Sequence, residues 1–174
     1  GVGVDTLLVN TTGTYNVAVG TYALDANTTA SNNTAVGYLA LSANTTGAEN
    51  VAIGNYTLDA NVNGTNSTAV GYNALSVSTS AVNNTAIGSQ TMAATTAGSY
   101  NVAVGNNALA TATTGAYNVA IGQEALNKKT HASNNTGIGS FAGKAITTGG
   151  NNTCIGYAAG DAISTGTNNI MIGY

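Results

Sequence analysis

The pentapeptide NVAVG, Asn16–Gly20, returns letter for letter at Asn101–Gly105, with near-copies such as Asn33–Gly37 and Asn50–Gly54 between them. Its closing glycine falls at Gly3, Gly20, Gly37, Gly54, Gly71, Gly88, Gly105, Gly122, Gly139, Gly156 and Gly173, each 17 residues after the last. A constant period marks a repeat architecture, and this one takes in the whole chain. With the glycine as position 1, residues 3–172 hold ten complete copies. Gly1-Val2 reads as the tail of an earlier copy and Gly173-Tyr174 as the start of a later one. A longer protein containing these 174 residues is therefore expected.

Each column of the repeat has its own chemistry. Position 5 is Leu7, Leu24, Leu41, Leu58, Leu75, Met92, Leu109 and Leu126. Position 14 is asparagine except at Ser67, position 15 is Val, Thr or Ile, and position 17 is always Val or Ile. Alternation over 14–17 is the period of a strand, and β-branched residues suit a pleated surface. No apolar spacing of three and four residues supports a helix. The reading is all-β: a parallel β-solenoid of ten 17-residue coils forming one tandem-repeat unit over 1–174. Each rung stacks about 4.8 Å from the next. A second short strand is expected at positions 2–5 after a bend at the glycine, which tolerates positive φ. Positions 6–13, rich in Asn, Thr, Ser and Gly, read as the return turn.

The last two copies carry Gly143 and Gly160 in place of the leucine, and Ile146 and Ile163 at position 8. An interior pocket filled from one side or the other accounts for this swap. The charged residues fall only at positions 3, 6, 7, 8 and 13, which reserves 1, 4, 5 and 14–17 for interior or contact use. Tyrosines gather at 2, 3 and 13, flanking the strand.

Charged residues make up 5% of the chain, against roughly 25% in ordinary domains. A net charge of −3 leaves no electrostatic footprint for nucleic acid. No apolar run reaches the roughly 18 residues of a membrane span. The single Cys154 excludes an internal disulfide framework.

Alternation defines two strand faces. The β-branched residues at 15 and 17 are expected to fill the coil, leaving asparagine and alanine on the other face. Alanine is small enough for another backbone to approach closely. The column Ala18, Ala35, Ala52, Ala69, Ala86, Ala103, Ala120 and Cys154 is therefore expected to contact neighbouring copies. A closed homotrimer suits such a fibre. The competing arrangement turns the alanine column towards a second sheet of the same chain.

The phrase N-[VT]-A-[VI]-G resembles the head repeat of YadA-type trimeric autotransporter adhesins. The longer NTAVGYLALSANTTGAENVAIG, Asn33–Gly54, is similar to repeats of phage tail-fibre-like proteins. The resemblance covers essentially the whole chain. It implies left-handed parallel β-rolls assembled as trimers, and a place on a cell surface or virion. The period of 17 is longer than in typical adhesin heads.

Few residues point to chemistry. His131 lies in a turn beside Lys128-Lys129 with no evident nucleophile or orienting partner. Gly137–Ala145 has the wrong glycine spacing for a phosphate loop. The scattered acids form no glycosidase pair or calcium loop. No catalytic residue, cofactor or metal is assigned. Threonine dominates position 9, from Thr11 to Thr147, as a turn residue or as an ice-binding row. N-x-[ST] acceptors occur at Asn10, Asn27, Asn32, Asn44, Asn55, Asn63, Asn66, Asn83, Asn134 and Asn151. Tyr22, Tyr38, Tyr56, Tyr72 and Tyr157 suit stacking on host-surface glycans or cover for the strand edges. The expected role is a non-catalytic shaft or head segment of an extracellular adhesive fibre. Its alternatives are a monomeric ice- or glycan-binding solenoid and a glycan-coated environmental fibril.

Overall fold

The computed structural model describes all 174 residues. Ten three-residue strands run β1 (Val17–Val19), β2 (Thr34–Val36), β3 (Val51–Ile53), β4 (Thr68–Val70), β5 (Thr85–Ile87), β6 (Val102–Val104), β7 (Val119–Ile121), β8 (Thr136–Ile138), β9 (Thr153–Ile155) and β10 (Ile170–Ile172). They form one parallel sheet in chain order. Like pairs with like: Ala35 sits opposite Ala52, and Ala52 opposite Ala69. The chain is thus a β-solenoid whose ten rungs are joined by nine turns of the coil.

The second strand expected at positions 2–5 is absent; those residues form turns. Positions 3, 5 and 13 adopt left-handed backbone, as at Tyr22 (φ 59°), Leu24 (φ 52°) and Asn32 (φ 62°). A left-handed residue reorients the peptide groups on either side of it. Tyr22 N–H accordingly donates one coil back to Val4 O at 2.9 Å, while Leu24 N–H donates one coil forward to Ala40 O at 3.1 Å. Of 106 backbone hydrogen bonds only 18 lie within the strands, so the turns carry most of the ladder. These bonds offset the cost of left-handed geometry in a residue such as leucine, about 1–2 kcal/mol each.

The position-1 glycine is required twice over. Gly37 has φ +135°, and a Cβ there would lie 2.4 Å from Gly54 O on the next coil. No L side chain meets both conditions.

The two strand faces are reversed relative to the sequence expectation. Ala18, Ala35, Ala52, Ala69, Ala86, Ala103, Ala120 and Cys154 are buried inside their own coil, so this column does not face neighbouring copies. The residues at 15 and 17 point outward; Ala52 is 0% exposed and the adjacent Ile53 40%. The cause is volume. The leucine at position 5 enters the coil from the opposite wall, and little more than alanine fits against it. The final coils show this directly. A Cβ on Gly160 would sit 2.7 Å from Cys154 Sγ and 3.0 Å from Met171 Sδ. Where position 16 enlarges to Cys and Met, position 5 shrinks to glycine. Ile146 is buried in the space released, as the swap at position 8 implied.

The asparagine column is also interior, and it is a hydrogen-bond ladder. Asn33 Nδ2 donates to Gly47 O at 2.9 Å, and its Oδ1 accepts the N–H of Asn50 at 3.0 Å. The pattern continues through Ser67, whose Oγ accepts from Asn84 N–H at 3.3 Å. A second ladder at position 8 links Asn61 to Asn44, Asn44 to Asn27, and Asn27 to Asn10. Each amide satisfies buried backbone groups that would otherwise carry a desolvation cost.

Candidate functional site: the outward face of the sheet

Turning 15 and 17 outward leaves two parallel columns of β-branched side chains along the rod. Val17, Val19, Ile53, Ile87, Ile121 and Ile172 are among those exposed to solvent. Column 15 is half valine or isoleucine and half threonine, column 17 is wholly valine or isoleucine, and neither holds a charge. Ten rungs at about 4.8 Å make a strip two side chains wide and roughly 48 Å long. A largely apolar strip of that kind is a candidate interaction surface.

Aromatic rings border it. Tyr22, Tyr38, Tyr56 and Tyr72 alternate between positions 3 and 2 and form an edge-to-face series, with centroids 6.3, 5.3 and 6.1 Å apart. Across the strip, at position 13, Tyr100 and Tyr117 stack at 5.0 Å. Further along, Phe141, Tyr157 and Tyr174 continue the first border. They line a cleft of about 600 Å³ with Lys144 and Asp161. Lys144 is already committed there: it pairs with Glu124 at 2.6 Å and lies 4.8 Å from the centre of the Phe141 ring.

The other sequence candidates separate cleanly. Asn27 and Asn44 are 0% exposed, and their amides are ladder rungs. Asn10, half-buried, ends the same ladder by accepting from Asn27 Nδ2 at 2.8 Å. These three acceptor motifs are therefore unsuited to glycosylation in the folded coil. Position-9 threonines donate to the backbone of the next coil, as Thr11 does to Thr28 O at 2.9 Å and Thr113 to Thr130 O at 3.1 Å. His131 is exposed in its turn. Cys154 is buried, and desolvation pushes its thiol pKa up, which disfavours the reactive thiolate.

Lys129 lies among the turn positions that carry the charges, yet it is 0% exposed. It occupies position 8 between Ala112 and Ile146, and its Nζ donates to Asn118 Oδ1. Burial lowers its pKa from 10.5 to about 7. The four asparagines at position 8 were the available signal that this column is interior. Asp25 and Asp59 also have raised pKa values through burial, and each leaves one Oδ1 without a hydrogen-bond partner.

No three His, Cys, Asp or Glu side chains converge as metal ligands. No helix is long and apolar enough to cross a membrane. No family model, curated protein or solved structure matches this chain.

Proposed function

We propose that this chain is a rigid shaft or head segment of an extracellular fibre, non-catalytic, built as a homotrimer of left-handed β-rolls packed through the outward strip. One observation carries the reading: two uncharged β-branched columns face solvent along the whole sheet. Their best-matched partner is another copy, whose rungs repeat at the same rise and meet them level by level. Two columns per rod suit a closed ring, and the resemblance to trimeric adhesin heads implies three copies. Column 15 of one copy meets column 17 of the next, and closure leaves no column bare. All three rods then point the same way, as a shaft requires. Position-9 hydroxyls are spent on the coil's own backbone, which favours a fibre over an ice-binding surface. Adhesion, in this reading, belongs to the aromatic borders and engages host-surface glycans by stacking.

The test is the double variant Ile53→Asp with Ile87→Asp, examined by circular dichroism and sedimentation. A folded monomer is expected, while a variant that assembles like the wild type refutes packing through this strip.

A further inference from the structure

The fold sorts the ten N-x-[ST] motifs by geometry. Asn27 and Asn44 are inside the amide ladder, and Asn10 closes its end. Asn55 and Asn63 occur once each, at positions 2 and 10. The remaining five, Asn32, Asn66, Asn83, Asn134 and Asn151, all fall at position 13. They form one row along the edge of the outward strip, and every one is exposed. Their φ angles lie between 57° and 62°, the left-handed region that asparagine tolerates. Asn66 Nδ2 donates to Thr65 Oγ1 at 3.1 Å; the other four side chains make no hydrogen bond within the chain. Four of the five carboxamides are therefore presented free to solvent, and the fifth is held only by its neighbour's hydroxyl.

A second observation concerns the third residue of each motif. Thr34, Thr68, Thr85, Thr136 and Thr153 are the only threonines in column 15, and each follows an asparagine at 13. Where position 13 is Tyr15, Glu49, Tyr100 or Tyr117, position 15 is Val17, Val51, Val102 or Val119. Only Asn168 departs, being followed by Ile170. No hydrogen bond joins the asparagine to its threonine, so ladder satisfaction does not impose the pairing. Polarity matching between neighbouring surface residues is the competing explanation, and it calls for no modification.

We propose that position 13 is a glycan-attachment edge, with N-linked sugar at Asn32, Asn66, Asn83, Asn134 and Asn151. The Asn Nδ2 displaces a phosphate-bearing leaving group from the anomeric carbon of an activated glycosyl donor, brought by a separate transferase. A C–N bond forms and the anomeric C–O bond breaks. The leaving phosphate takes the electron pair, and one amide proton passes to base. The neighbouring Thr hydroxyl completes the acceptor motif. Spacing then sets occupancy. Asn66 and Asn83 sit on adjacent rungs, as do Asn134 and Asn151, about 4.8 Å apart, which crowds two sugars. Asn32 has Tyr15 and Glu49 as its neighbours in the row and is free of that crowding. The asparagines border the strip without lying on it, so sugar on them is compatible with assembly. Their threonines lie in column 15, so transfer takes place on the unassembled chain.

Glycopeptide mass spectrometry on the chain isolated from its own source tests this. Sugar on the position-13 row is expected, highest at Asn32, with Asn27 and Asn44 bare. A row free of sugar in that material overturns the proposal and leaves polarity matching as the explanation. Incubating the folded, unassembled Ile53→Asp/Ile87→Asp chain with a soluble sequon-directed glycosyltransferase and its nucleotide-sugar gives a second arm. The row is expected to accept sugar in the folded state, and Asn27 and Asn44 only after unfolding. Transfer to Asn27 or Asn44 in the folded chain, or refusal by the row, contradicts the assignment.

Discussion

The two faces of each strand differ more than any two coils do. The inner face carries asparagine and alanine, nearly invariant and buried; the outer face carries valine, isoleucine and threonine, exchanged freely and open to solvent. Greater hydrophobicity therefore lies outside. In a coil this thin the inner face is limited by volume and by backbone hydrogen bonds that must be satisfied, not by how apolar a side chain is. The leucine wall at position 5 supplies the bulk, alanine takes the space left, and asparagine ties one coil to the next.

Adjacent residues on opposite faces give the largest contrast. Ala86→Glu is expected to cost about 5 kcal/mol or more, since it combines overpacking with an unpaired buried charge. The chain should then fail to fold around β5. Ile87→Glu, one residue along, is expected to leave the unfolding free energy of the isolated chain within about 0.5 kcal/mol, as surface changes do. Comparable losses from the two variants in urea titrations, or tolerance of the alanine change, would erase the distinction between faces.

The natural exception on the inner side is Lys129, and pH probes it. Its pKa falls from 10.5 in the unfolded chain to about 7 in the fold, so the folded state bears a buried charge below pH 7. Between those values the unfolded chain binds the extra proton, and wild-type stability should rise with pH, by about 5 kcal/mol at most. Lys129→Met should be more stable than wild type near neutrality and lack that rise. Parallel pH profiles for the two proteins would show that the amine escapes to solvent.

A smaller effect tests volume alone. Gly143→Leu restores the usual position-5 residue, but a Cβ there already meets Leu126 Cδ2 at 2.7 Å and Cys154 Sγ at 3.3 Å. A loss of about 1–3 kcal/mol is expected. Adding Cys154→Ala and Ile146→Asn, which rebuilds the pattern of the early coils, should recover most of it. If the triple variant is no better than the single one, the two columns do not share a pocket.

Much of the fold was legible. The 17-residue period, the strand, the glycine bend, the leucine wall and the Ile146 exchange all follow from column reading. Alternation reveals that a strand has two faces but does not say which is inside; that depends on what enters from the opposite wall. The trace was present, since position 16 grows at Cys154 and Met171 where position 5 shrinks to Gly160. The left-handed turns were hidden because Leu24 and Tyr22 have no preference for that backbone; bonds to adjacent coils hold them there. Lys129 was misplaced for a related reason: a turn rich in polar residues looked external throughout, yet position 8 points inward. The candidate site was the least legible part, because its strip is built from the residues that composition assigns to a core.

The central claim is that the outward strip is covered by other copies of the same chain. Sedimentation equilibrium of the wild-type chain, across a wide range of concentrations, addresses it most directly. The account expects a mass three times the 17.0 kDa of one chain. A stable species of 17.0 kDa at every concentration would contradict it and leave the strip facing water.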